Sequence, residues 1–199
     1  LSGTPIKVST SMTIGGADAG NYIIVQPTGL TGNITQAIVN LNSSRQYDGT
    51  SNAASAAFGT TVATGVAGQT LKLTGTGALS GANVGTYTGT GGSATNPTPY
   101  FNLGTLALAN NGSYLASNYT LQGGTDTFAI TPYVISLSGT RIYDASTDGN
   151  ASLFNNGTPC ATASATCVMI SGVNGETLEL TGSGVSSSKN VGTYTGTGG

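Results

Sequence analysis

The sequence predicts an all-β protein made of tandem sandwich-like beads, and three observations carry that prediction. Apolar and polar residues alternate in short runs. Gly and Asn clusters break those runs at about ten-residue spacing. Blocks of sequence return after roughly a hundred residues, the spacing of whole domains rather than of solenoid coils. Composition agrees: charged residues are only 6% of the chain, and Gly, Thr, Ser and Asn take their place. That mixture is poor in helix formers and rich in β-branched and turn residues. The recurring Val, Ile, Leu and Tyr argue against disorder, and 199 residues are enough for one or two ordinary cores.

Taken in chain order, Met12 with Ile14 and Tyr22 with Ile24 predict two strands. Ala37, Val39 and Leu41 alternate with Ile38 and Asn40 and predict a half-buried strand. The Ala-rich stretch from Asn52 to Phe58 suits a short helical turn. Leu71 and Leu73 flank Lys72, which places the leucines inward and the charge outward. Tyr119 with Leu121, and Phe128 with Ile130, predict further strands, and Tyr133, Ile135 and Leu137 repeat the alternation of Ala37 to Leu41. Leu178 and Leu180 flank Glu179, so the leucines persist where the charge changes sign.

The repeat is plain in the letters. Asn83 to Gly92 returns unchanged as Asn190 to Gly199, and Thr70 to Gly75 returns as Thr177 to Gly182 with one change. Arg45, Tyr47 and Asp48 return as Arg141, Tyr143 and Asp144, and Asn21-Tyr22 as Asn118-Tyr119. Upstream blocks recur at about 96 residues and downstream blocks at about 107, so the second copy carries an insertion of about 11 residues. The insertion holds Cys160 and Cys167. Insertions map to loops, and six intervening residues suffice for a disulfide-closed loop, which suits an oxidising compartment. So small a loop predicts little loss of stability on reduction.

Together these motifs resemble the YDG-type repeat of very long bacterial surface proteins, with its MBG-type relatives, in filamentous haemagglutinins and other two-partner-secretion adhesins. The residues are Tyr47-Asp48-Gly49, Leu-x-Leu-Thr-Gly-x-Gly, Asn83 and Gly85 of Asn-Val-Gly-Thr (again at Asn190 and Gly192), Gly16 to Tyr22, and Ile130-Thr131-Pro132. The second copy departs from the pattern where Ala145 follows Tyr143-Asp144. The resemblance implies an extracellular, cell-surface protein that adheres or builds matrix, with no catalytic residues to carry over. It also implies a register: residues 1–35 as the C-terminal half of a preceding repeat, 36–131 as a complete one, and 132–199 as the N-terminal part of a following one. In that register the chain reads as cut from a longer polymer of stiffly joined beads. Their outer halves would be completed by neighbouring repeats or by head-to-tail self-association into filaments. An Ig-like sandwich is the expected bead, with a β-grasp-like bead as the alternative.

Chemistry is sparse. Histidine is absent, which removes the commonest general base and metal ligand. No Gly-x-Ser-x-Gly elbow occurs, and Glu176 and Glu179 sit in unrelated contexts, so no enzyme, cofactor or metal site is predicted. Asp18, Asp48, Asp144 and Asp148 lack the calcium-loop series and read as turn residues bonding their own backbone. Tyr47 and Tyr143 are expected to anchor cores, with Arg45 and Arg141 stacking on rings or capping carbonyls. Six Asn-x-Ser/Thr sequons, including Asn156, are few enough to arise from composition. A net charge of −2 without a basic patch disfavours nucleic acid, and the apolar runs are too short to enter a membrane as helices. The functional expectation is a stalk or fibre segment. The alternatives are a module binding a glycan or host surface, and a self-assembling surface-layer or sheath subunit.

Overall fold

The computed structural model describes residues 6–93, 95–154, 158–160 and 167–196. Residues 1–5, 197–199, the sequon at Asn156 and the stretch 161–166 between the cysteines lie outside the described residues. The described chain is mostly short strands in small sheets, with single 3-10 turns between them. It divides into two compact units, one of Leu1–Ser43, Asn52–Ser80 and Tyr87–Phe128, the other of Ser44–Ser51, Gly81–Thr86 and Ala129–Gly199.

In the first unit, Thr70–Thr74 lies between Val62–Ala63 and Ala107–Ala109, antiparallel to both. Thr76–Leu79 lies between Asn52–Ala54 and Phe101–Asn102. Ala37–Ile38 pairs in parallel with Tyr119–Thr120, and Val39 N–H donates to the Thr120 carbonyl at 2.8 Å. Strand Thr125–Thr131 runs between Asn42–Gln46 and Gly85–Thr90. The core gathers Val39, Leu41, Leu71, Leu79, Tyr87, Phe101 and Phe128, all buried. Phe58, Phe101 and Phe128 form an aromatic triad with centroids 5.6–6.2 Å apart, a favourable spacing for tilted rings. Leu71 is buried and Lys72 is exposed, as the alternation required. The Ala-rich stretch forms strand Asn52–Ala54 and a 3-10 turn at Ser55–Phe58.

The second unit repeats these elements. Asp148–Asn150 stands for Asn52–Ala54, a 3-10 turn at Ala151–Leu153 for Ser55–Phe58, and Thr177–Thr181 for Thr70–Thr74. Even the ladder register is kept. Asn52, Ala53 and Ala54 face Ala78, Gly77 and Thr76; their counterparts Asp148, Gly149 and Asn150 face Val185, Gly184 and Ser183. Val168 and Ile170 with Ala151 make its core, and Ile135 and Leu180 pack against them.

The insertion is more than a loop. It supplies strand Thr158–Pro159 and lengthens the next strand to Cys167–Ser171, which pairs with Thr177–Thr181 along all five residues. Cys160 and Cys167 are bonded to each other, both buried, with Cα atoms 5.6 Å apart.

Several expected features are absent. Met12 with Ile14 and Tyr22 with Ile24 form no strand; a 3-10 turn at Ala19–Asn21 precedes Tyr22. Tyr133, Ile135 and Leu137 form none either, and Leu137 is exposed. Leu178, the counterpart of buried Leu71, is exposed as well. The reason is a matter of partners. In the first unit, Val39 and Leu41 bond to Thr120 and Thr127, and Thr70–Thr74 is covered on its second edge by Ala107–Ala109. Among the described residues, no strand fills those positions for the second copy.

Candidate functional site

The repeated Arg-x-Tyr-Asp motif folds into a charged turn at both of its occurrences. Asp48 Oδ1 accepts the Thr50 N–H at 2.9 Å and the Thr50 hydroxyl at 2.8 Å, an aspartate turn that closes two residues on. The Arg45 guanidinium pairs with Asp48 and donates to the carbonyls of Gln46 and Thr50. Partial burial pushes the Asp48 carboxyl up, but bonds from Thr50 and the Arg45 charge outweigh it and leave it below the usual carboxylate range.

In the second copy Asp144 Oδ1 accepts the Ser146 N–H at 2.9 Å, with Arg141 3.0 Å away. That backbone bond, helped by Arg141 and opposed by desolvation, lowers the Asp144 carboxyl too. Arg141 also donates to Ser146 Oγ at 2.6 Å and to the Asp148 carbonyl at 2.8 Å. Both arginines therefore cap carbonyls, as anticipated, and each is also an ion-pair partner of its aspartate, which the motif alone does not reveal. Gly49 and Ala145 occupy the same left-handed position, at φ +74° and +62°.

The two tyrosines differ. Tyr47 is half-buried, and its hydroxyl donates to Glu176 Oε1. That carboxylate bond, then desolvation and the nearby charges of Glu176 and Asp48, raise the phenol above its ordinary value. Tyr143 is exposed rather than a core anchor, because among the described residues nothing covers it as the 172–176 turn covers Tyr47. Asn174, at φ +52°, donates from its amide to the Asp48 carbonyl at 2.6 Å.

Beside Tyr47 lies a shallow, mainly apolar cavity of about 280 Å³. Asn83, Val84, Tyr133, Ile135, Glu176 and Leu178 are among its walls. Asn83 thus joins the Tyr47 turn, whereas Gly85 takes no part in the cavity. The second Asn-Val-Gly-Thr sits elsewhere: Asn190 N–H donates to Ser188 Oγ at 3.1 Å, its carbonyl accepts the Tyr194 hydroxyl at 2.5 Å, and Gly192 lies beside that ring. No cluster of three metal-ligating side chains occurs among the described residues.

Asp126 lies in no repeated motif, yet it is chemically distinctive. Asp126 is 1% exposed, and its Oδ1 accepts the Leu41 N–H at 2.8 Å. Burial pushes its carboxyl up to about 6, against the lowering effect of that bond. The signal was available: Asp126, Phe128 and Ile130 fall on one face of the strand alternation, so an acid stood on the inward side.

No family model matches the chain, and no curated protein or solved structure matches it significantly.

Proposed function

We propose that this chain is a structural stalk or fibre segment of a bacterial cell-surface or secreted adhesin, or of an extracellular matrix filament, and that it performs no catalysis. The observation that carries this reading is the identical ladder register in the two copies. A ladder reproduced from one stretch of sequence to the next is what a chain of repeated load-bearing units requires. The bond between Cys160 and Cys167 favours an oxidising, extracellular setting, and sandwich-type beads would agree with the small antiparallel sheets. The partners in this reading are neighbouring repeats of the same kind. Force spectroscopy on the 199-residue chain held at its two ends tests it. Discrete unfolding steps are expected; a smooth extension at low force would sink the reading.

A second reading, a glycan- or host-surface-binding module, is favoured by the cavity that places Tyr47 and Tyr133 near the polar groups of Asn83 and Glu176. Sugars are held by that kind of mixture of aromatic faces and hydrogen-bonding groups. Glycan-array binding lost in Tyr133→Ala would support it, and an array with no binding would remove it.

A further inference from the structure

We propose that the Tyr47-Asp48-Gly49 turn of the first copy and the 172–176 turn of the second are a matched pair whose fit decides which repeat can follow which. The two meet inside the second compact unit, which takes Ser44–Ser51 from the first copy. Asn174 donates from its side-chain amide to the Asp48 carbonyl at 2.6 Å, and Glu176 accepts the Tyr47 hydroxyl. Recognition therefore runs through one backbone carbonyl and one phenol, groups that any Tyr-Asp turn offers. What distinguishes one turn from another is the residue after the aspartate and the side chain that stands opposite it.

One residue shapes the receiving turn. Val173 to Glu176 closes with the Glu176 N–H on the Val173 carbonyl at 3.0 Å, and both central residues are left-handed, Asn174 at φ +52° and Gly175 at +81°. That is a type I′ turn, which favours Asn-Gly because asparagine tolerates the left-handed region better than most side chains. In the first copy the aligned residues are Val66, Ala67, Gly68 and Gln69. The Gln69 N–H bonds the Val66 carbonyl at 3.0 Å in the same way, but only Gly68 is left-handed there, at +71°, as in a type II turn. The next bond outward differs accordingly. In the second copy the Gly172 N–H reaches the Glu176 carbonyl at 2.7 Å; in the first the Thr64 N–H, one aligned position earlier, reaches the Gln69 carbonyl at 3.3 Å. Asn174 in place of Ala67 thus changes the turn type and supplies the amide that reaches Asp48.

The tyrosine turns differ in the complementary way. Gly49, at φ +74°, leaves the space that the Asn174 amide occupies: a Cβ there would lie 2.6 Å from the amide nitrogen, an overlap no relaxed side chain makes. The second copy carries Ala145 at the same left-handed position, at φ +62°. An L side chain can therefore occupy that backbone, and what further excludes one at position 49 is the asparagine opposite. A Tyr-Asp-Ala turn is rejected by an Asn-Gly hairpin turn through this overlap. It suits an Ala-Gly hairpin turn, whose alanine has no amide to collide with. Selectivity then comes from the clash as much as from the bond. The partner of the Asn-Gly turn is a Tyr-Asp-Gly turn, and the partner of the Ala-Gly turn is a Tyr-Asp-Ala turn.

This pairing rule deepens the fibre reading and rests on it for its purpose, since repeats need an order only when they are strung together. The two can fail separately: unfolding steps under force can occur without the selectivity, and the selectivity without the steps. Hydrogen exchange in the full chain reads the joint from both sides. One probe is the Tyr47 N–H, which bonds the Thr131 carbonyl at 2.8 Å; the other is the Gly172 N–H, which bonds the Glu176 carbonyl. Gly49→Ala is expected to speed exchange at both by about tenfold, and Asn174→Ala by roughly threefold. Asn174→Ala installs the residue that the aligned turn carries at Ala67, so the hairpin keeps a sequence that folds in this chain. Combining the two substitutions should slow exchange again, to roughly threefold or more below Gly49→Ala alone, because the new alanine leaves room for the new Cβ. Losses that simply multiply in the double variant, with no recovery, would overturn the pairing rule. So would a Gly49→Ala chain that exchanges like wild type.

Discussion

A few aspartates and one turn position set how the structure responds to pH and to turn strain. Asp126 has a carboxyl raised to about 6 from an ordinary 3.8. A folded-state value above the unfolded one means that the stability tied to this group is fully present below the unfolded value and is lost as pH rises through the folded one. The whole window is worth about 3 kcal/mol, of which about 1 kcal/mol falls between pH 5 and 7.5. Asp48 and Asp144 act the other way. Their lowered values contribute stability that disappears only as pH falls below the ordinary carboxylate range. The first unit is therefore expected to be more stable toward urea at pH 5 than at pH 7.5, and Asp126→Asn to flatten that difference. A wild-type midpoint independent of pH across this range would contradict the assignment. At the Arg-Tyr-Asp turn, Ala145 sits at φ +62°, where an L side chain costs about 1–2 kcal/mol. Ala145→Gly should stabilise the second unit by about 0.5–1 kcal/mol after glycine's greater unfolded-state freedom is subtracted. Gly49→Ala should destabilise, since its Cβ would also lie 2.6 Å from the Asn174 amide. Thermal melts of both variants check the pair. The aspartate turns were legible from composition, because a short acid among Gly and Thr bonds its own backbone. Their arginine partners were not, since Arg45 and Asp48 meet only once the turn folds the chain back.

At the scale of elements, alternation said which side chains seek burial but not which strand would cover them. The Leu-x-Leu strands show the difference. Leu71 lies in a strand paired on both edges and is buried, while the identically patterned Leu178 is exposed. The sequences Thr-Leu-Lys-Leu-Thr and Thr-Leu-Glu-Leu-Thr differ at one outward position, so nothing local distinguishes them. Their fates diverge through strands more than thirty residues away in the chain. Leu71→Ala should cost about 2–5 kcal/mol, as deletion of a buried leucine does. Leu178→Ala should cost roughly half as much, because 42% of its area is already in water. Equal losses in denaturant titrations of the two variants would show that both leucines are covered. The insertion teaches a similar lesson. Counting residues placed Cys160 and Cys167 in an added loop, but the added residues also form strand Thr158–Pro159, which brings a third strand to the sheet. An insertion can be read as a loop only if its own residues find no ladder.

For the whole molecule, the division into two units predicts that unfolding is not a single transition. The first unit holds an aromatic triad and strands covered on both edges. The second has a core of Ala151, Val168 and Ile170 with Ile135 and Leu180 at its margin, and its central pairing depends on the strand that begins at Cys167. Among the described residues it buries fewer side chains, which leaves less apolar burial to offset chain entropy. The second unit should therefore melt first. Its disulfide bears on this directly. By the loop-entropy relation, a bond closing so short a loop constrains the unfolded chain by about 2.5 kcal/mol. Both sulfurs are buried at the start of the strand that carries the core. Reduction should then matter more than the short loop alone suggested. In a guanidinium titration followed by hydrogen exchange, amides of Val168–Ile170 should open at lower denaturant than those of Leu71–Leu73. Cys160→Ser combined with Cys167→Ser should move only the earlier transition, by about 2 kcal/mol. A single transition in which both sets of amides open together, or a double substitution that shifts the later one, would mean that the two units fold as one cooperative body.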